Sequence, residues 1–138
     1  MYITKITVKE SPIDGKGVFT LRDIKSGEVV WKFDSTHDKT LTVTEFNALN
    51  NEERQALRRV AYLSKNTKRW IYPPENDPAL YTNHSKNNNL SAVLDESISD
   101  EPFFVANRDI AVGEELTNNY NEFDDFTENR EAEWLKED

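Results

Sequence analysis

The sequence predicts a mainly β domain with one short helical insert, and three observations carry that reading. First, period-two hydrophobic alternation recurs near both ends of the chain, the pattern of short strands with one buried face. Second, a single stretch, Thr44 to Ser64, breaks this rhythm with apolar residues at helical spacing. Third, glycine-closed turns separate the apolar runs. "RDIKSGE" at 22–28 recurs as "RDIAVGE" at 108–114, and each copy lies between two strand-like stretches.

Taken in order, Ile6 and Val8 alternate as in a strand, and "VVWKF" places Val29, Trp31 and Phe33 on one face. In the insert, Leu57, Val60, Ala61 and Ser64 follow a helical repeat, and Asn50 with Glu53 three residues on has the form of a capping box. "YPPENDP" then breaks any regular element, because proline removes donors and fixes the backbone. Leu90, Ala92 and Leu94 alternate again, and "FFVAN" from Phe103 reads as a buried strand. Gly27 and Gly113 close the repeated turns, where positive φ costs glycine nothing. Thr127 to Leu135 reads as a short capped helix.

Length and composition bound the function. A chain of 138 residues with 36% hydrophobic and 11% aromatic residues makes one domain with one core. No stretch approaches the roughly 20 apolar residues that cross a membrane. The start, "MYITKITVKE", lacks the apolar core of a secretory signal, so a cytoplasmic or nuclear-type compartment is expected. The absence of cysteine excludes disulfides and thiolate zinc sites. A net charge of −9 argues against nucleic acid, whose phosphates demand a basic surface. The charge is uneven: residues 121–138 carry eight acids against Arg130 and Lys136, whereas 54–69 carry six bases and no acid. The acidic end reads either as a solvated face or as a rim that attracts a basic peptide.

Two short stretches carry candidate chemistry. In "SPIDGKGVF", Gly15 and Gly17 permit close backbone approach to a ligand, but no G-x-G-x-x-G opens a helix. No P-loop, H-E-x-x-H or nucleophile elbow occurs either. "YTNHSKNNNL" holds seven consecutive polar residues, Asn83 to Asn89, including His84. Taken alone, that run reads as a plain loop sooner than as a site, because Asn and Ser are ordinary turn residues. The other histidine, His37, stands isolated in "STHDKT" and reads as a surface residue.

Three motifs taken together are more specific. "SPIDGKGVFTLRDIKSGEVV", "NHSKNNN" and "ANRDIAVGEELTNNY" follow one another in an order and spacing that resembles the SET-domain protein lysine methyltransferases. The likeness is to the compact, stand-alone proteins of viral and bacterial type. It runs from about Ile6 to about Phe126 and is weakest across 36–79. The resemblance implies a fold of small β-sheets with a C-terminal pseudoknot, in a chain class where threaded loops are rare. It divides the chain into an N-terminal SET part (1–40), a variable helical insert (41–80), a C-terminal SET part (81–126) and a tail (127–138).

The same resemblance implies S-adenosyl-L-methionine as cofactor. Asn83 would hold its amino-acid end, His84 would meet the adenine through its backbone, and Gly15, Lys16 and Gly17 would line the site. Tyr120, closing "GEELTNNY", matches the catalytic tyrosine. The chain departs from the family where Asn88 replaces a proline, Leu80 an arginine and Tyr81 a phenylalanine. Asn118 stands at an often aromatic position that helps set how many methyl groups are added. The zinc-binding, cysteine-rich segment that closes the lysine channel in many members is missing, and no metal is expected. In its place the tail offers Phe123, Phe126 and Trp134. Phe126 or Trp134 would close over the adenine, or these aromatics would anchor a terminal helix to the core or to a partner subunit.

The implied function is methyl transfer to the lysine ε-amine of a basic protein or peptide. The alternative is a weak or inactive SET fold that serves as a binding module for basic peptides. Retention of Asn83, His84 and Tyr120 favours the enzyme. A basic substrate protein is the expected partner, with no direct nucleic acid and no membrane, and a homodimer stays open.

Overall fold

Short apolar runs between polar turns dictate short strands, and the computed structural model, which describes residues 1–124, contains ten of them. In chain order they are β1 (Ile6–Glu10), β2 (Lys16–Thr20), β3 (Val29–Lys32), β4 (Lys39–Thr42), β5 (Tyr62–Leu63), β6 (Arg69–Tyr72), β7 (Asn83–His84), β8 (Leu90–Val93), β9 (Phe103–Ala106) and β10 (Glu115–Asn118). Helices α1 (Val43–Asn47) and α2 (Asn51–Arg58) lie between β4 and β5. The strands form three small sheets, ordered β1-β2-β10-β7, β3-β9-β8 and β4-β6-β5. All neighbours are antiparallel except β7 and β10, which run parallel. The fold class is therefore as the sequence predicts.

The repeated turns hold each other. Ile24 and Ile110 exchange both backbone hydrogen bonds at 2.8 Å, and both side chains are buried. The Asp23 carboxylate accepts from the Val112 amide at 2.8 Å, and the Asp109 carboxylate accepts from the Ser26 amide at 2.9 Å. Gly27 and Gly113 both sit at φ +90°, where an L side chain is strained. The echo thus encodes two turns related by a local two-fold. Around them Val18, Val30, Leu90 and Leu116 complete the fully buried centre of the main core.

Strand β3 departs from simple alternation. Val29 pairs with Val105 and Trp31 with Phe104, so Val30 is the extra residue of a bulge, and Val30 and Trp31 are both buried. The insert departs further. The Asn50–Glu53 capping box is present, with bonds of 2.8 and 3.2 Å, but α2 stops at Arg58 instead of running on towards Ser64. Tyr62 and Leu63 pair with Ile71 and Trp70, which gives their backbone a ladder and buries Tyr62; tertiary pairing overrides the helical spacing. A second capping box, Thr42 with Glu45, opens α1. Phe46 and Trp70 stack at 4.2 Å between ring centres and, with Ala61, make a second small core.

After β10 the chain is held from two sides. Asn88 Nδ2 and the Ala92 amide both donate to the Glu122 carboxylate at 2.9 Å. From the insert, Lys65 Nζ donates to the Asn121 carbonyl at 2.7 Å, the Leu63 amide donates to Asp124 Oδ1 at 3.0 Å, and Ser64 bridges to Asp124. This is the threaded C-terminal segment, and its anchors directly follow Tyr120.

Asn89 locks the same strand from below. Its Oδ1 accepts from the Thr117 amide at 2.9 Å, and its Nδ2 donates to the Glu115 carbonyl at 2.8 Å, with 3% of the residue exposed. One side chain thus serves two backbone groups of β10. Asn89→Ala should destabilise the domain by roughly 2–4 kcal/mol, because both groups are left unpaired in the interior. A denaturant midpoint unchanged from the native protein would remove Asn89 from that role.

Candidate active site

The tight connection between β1 and β2 places the first half of the site. Gly15 sits at φ +45°, and its carbonyl accepts from the Ser11 amide at 2.8 Å, which turns the chain back on itself. Gly17 needs to be glycine for another reason. A Cβ there would lie 2.2 Å from Glu115 Oε2 and 3.0 Å from Ser11 Cβ. Parallel pairing of β7 with β10 then brings Asn83 alongside Thr117 and His84 alongside Asn118.

Asn83 is the centre of this half. Its Nδ2 lies 2.8 Å from Glu115 Oε2, 3.1 Å from the Lys16 carbonyl, and 3.2 Å from both the Asp14 carbonyl and Ser11 Oγ. A carboxamide has two hydrogens to give. Four acceptors converge on it, so the cradle holds more acceptor capacity than Asn83 fills. That surplus, with a carboxylate included, fits a ligand that carries an ammonium group.

The second half is a narrow pocket of about 60 Å³. Aromatic residues dominate its wall, among them Tyr2, Tyr62, Tyr72, Phe104, Tyr120 and Phe123. Phe123 organises them, meeting Tyr62, Phe104 and Tyr120 edge-on at 5.0, 4.9 and 5.6 Å. The Tyr2 hydroxyl is paired with Thr82 Oγ1 at 2.6 Å. Two other wall atoms, the Tyr62 hydroxyl and Asn118 Oδ1, are buried without a hydrogen-bond partner among the described residues. Burial pushes the Tyr62 hydroxyl well above the ordinary tyrosine range, and the Glu101, Asp38 and Asp124 carboxylates push it further. Burial raises Tyr2 as well. Both phenols therefore stay neutral at physiological pH, and the pocket is apolar with two unused polar atoms.

His84 joins the halves. Its Nδ1 accepts from the Tyr120 amide at 3.3 Å, and the two rings stand 5.5 Å apart. In that bond Nδ1 is the acceptor.

Comparison with known proteins decides the family. The model of the SET domain matches residues 15–121, most of the chain, and takes in Gly15, Gly17, Asn83, His84, Glu115 and Tyr120 of the site just described. The chain belongs to the SET-domain family. A search of curated proteins finds no match. Among solved structures, it is similar to a candidate histone methyltransferase of Plasmodium falciparum, with 20% identity, a TM-score of 0.57 and coverage of 85% of this chain and 93% of that one. It is also similar to the SET8 protein of Cryptosporidium, with 26% identity, a TM-score of 0.61 and coverage of 85% of this chain. The present chain spans 57% of that longer protein. At this distance the likeness to the Plasmodium structure speaks for the fold.

Within this SET domain, Gly15, Lys16, Gly17, Asn83 and His84 come together, and Tyr120 joins them through His84. Phe126 and Trp134, read from the sequence as residues closing over the adenine, lie outside the described residues, as does the expected helix from Thr127 to Leu135. Phe123 belongs to the core at 4% exposure and not to an exposed tail. His37 is not isolated: its Nε2 is hydrogen-bonded to Asp77 Oδ2. No group of acidic or histidine side chains suited to a metal occurs among the described residues.

Several site residues escaped the sequence reading. Glu115 sits inside "GEEL", where nothing separates it from Glu114 without knowing which one faces Asn83. Tyr2, Tyr62 and Tyr72 reach the pocket from the chain start and the insert, and only the folded topology brings them there. Asn88 and Asn89, read as part of a binding run, instead pin the threaded segment and β10.

Proposed function

We propose that this SET domain transfers a methyl group from S-adenosylmethionine to the ε-amine of a lysine in a basic protein or peptide. One observation carries the reading. A narrow aromatic pocket with two unpartnered polar atoms stands next to a cradle with surplus acceptors, and Tyr120 and His84 connect them. The family generally uses this cofactor, and the acceptors around Asn83 suit the ammonium of its amino-acid end. When bound, S-adenosylmethionine supplies an electrophilic methyl group.

The chain's own residues do the rest. A lysine amine has an ordinary pKa of about 10.4 and is almost wholly protonated at neutral pH, so its lone pair must first be freed. The aromatic wall strips water from the side chain, which disfavours the charged form and lets the proton leave to solvent. The Tyr120 hydroxyl and Asn118 Oδ1 then orient the neutral amine, and holding it in line is the main catalytic contribution. Asn118 and Tyr62 also favour an amine that still has hydrogens to donate, since each methyl added removes one. The net charge of −9 supports a basic partner, drawn in by long-range attraction.

A lysine peptide tests the pocket directly. A basic peptide with one lysine should bind the protein in the presence of S-adenosylhomocysteine. Acetylation of that lysine should weaken binding roughly ten-fold or more, because it removes the charge and leaves one N–H for the two buried oxygens while adding bulk to a small pocket. Raising the salt should weaken both peptides, since it screens the charge attraction. Equal binding of the two peptides would show that the pocket does not read the amine.

A further inference from the structure

We propose that Glu115 is a positioning residue that sets the cofactor cradle by gripping Asn83 and the glycine loop at once; the inference rests on the function proposed above. Glu115 opens β10, and its backbone is fixed on two sides. It pairs with Phe19 of β2, and its carbonyl accepts from the buried Asn89 at 2.8 Å. The side chain starts from a rigid base. Its carboxylate accepts from Ser11 Oγ through both oxygens, at 2.7 and 2.9 Å, and from Asn83 Nδ2 at 2.8 Å.

The contact with the loop is also steric. Glu115 Oε2 occupies the space that a side chain at position 17 would need. Gly17 does not have a positive φ, so backbone conformation is not what demands glycine there. The room is taken by the Glu115 carboxylate, held there by Ser11 and Asn83, and by Ser11 Cβ behind it. Ser11, at the other end of the turn, is bonded to the same group, so one carboxylate sets where both arms of the loop lie relative to Asn83. The Asp14 and Lys16 carbonyls come within 3.2 and 3.1 Å of Asn83 Nδ2 as a result.

This arrangement has a consequence for the ligand. Glu115 brings the negative charge nearest to Asn83, and an ammonium ligand presents three hydrogens to acceptors that Asn83 alone under-uses. Loss of the charge should therefore weaken ligands that carry an amino-acid end and spare those that do not. Transfer itself depends on the pocket around Tyr120, so the effect should fall on KM for the cofactor.

Two experiments test the assignment. In the first, Glu115→Gln keeps the shape and removes the charge. The affinity for S-adenosylhomocysteine should fall about ten-fold, the scale of one hydrogen bond to a charged group, with KM for S-adenosylmethionine raised by a similar factor and kcat changed far less. The affinity for 5′-methylthioadenosine, which lacks the amino-acid end, should stay within two-fold or so. Equal losses for both compounds, or none for either, would overturn the positioning role while leaving the cofactor reading intact. Failure of the native protein to bind either compound would overturn the cofactor reading and this inference with it.

The second experiment needs no ligand. Gly17→Ala should lower the melting temperature clearly more in the native background than in a Glu115→Ser background, where the contacts with the carboxylate are gone and only the 3.0 Å approach to Ser11 Cβ remains. Additive effects of the two substitutions would show that the carboxylate does not set the loop.

Discussion

Tyr120→Phe is expected to slow methyl transfer on the order of 10²-fold, while folding and cofactor binding persist. The contrast follows from which atoms do what. The ring of Tyr120 packs edge-on against Phe123, and its backbone amide, not its hydroxyl, donates to His84. Phenylalanine keeps both contacts and nearly the same volume, so the threaded segment should stay in place. What is lost is a hydroxyl beside a water-poor pocket, where one orienting dipole is worth far more than in solution. Single-turnover rates under saturating cofactor and peptide would isolate this effect, because binding differences then drop out. Equal rates for the two proteins would remove Tyr120 from the chemistry and leave it as a core aromatic.

Asn83→Ala should abolish most of the thermal stabilisation that S-adenosylhomocysteine gives the native protein. A ligand that binds only the folded state raises its stability with the logarithm of its concentration over Kd, so a shift in melting temperature reports affinity. Alanine removes the group on which the Asp14 and Lys16 carbonyls and the Glu115 carboxylate converge. Those acceptors then lose their common partner, and the loop loses its tie to β7. A loss of about 10²-fold in affinity is expected if two such hydrogen bonds are forfeited. The variant should still fold, since Asn83 is only partly buried and the core lies elsewhere. A full thermal shift in the variant would place the amino-acid end of the ligand away from Asn83.

What the sequence disclosed follows the range of each signal. Local chemistry was legible: the Asn50–Glu53 cap opens α2, and the repeated "RDI" turns close on Gly27 and Gly113. The reciprocal bonds of Asp23 and Asp109 explain why the two turns look alike. Signals overridden by distant partners were misread. Val60, Ala61 and Ser64 keep helical spacing, yet Tyr62 and Leu63 form β5 because β6 lies beside them. The Trp31 strand bulges because Val30 and Trp31 are both needed in the core.

The site divides in the same way. Asn83, His84, Gly15, Gly17 and Tyr120 stood in motifs and were named from them. Tyr2 and Tyr62 belong to no pattern in the chain, and Glu115 cannot be told from Glu114 within "GEEL", because their roles arise only when the insert, the chain start and β10 meet. The polar run that ends at Asn89 is part cradle and part clamp, a division its sequence does not mark.

Mass spectrometry of isotope-labelled methyl transfer tests the central claim most directly. The native protein, S-adenosylmethionine with a labelled methyl group, and a panel of basic proteins and lysine-bearing peptides would be incubated together at low salt. The account predicts label on the ε-nitrogen of lysine in at least one basic substrate, favouring the amine that keeps hydrogens for Asn118 and Tyr62, with none on arginine and little from the Tyr120→Phe protein. Cofactor binding without label on lysine in any substrate tried would contradict it, and would leave the fold as a module that binds basic peptides without modifying them.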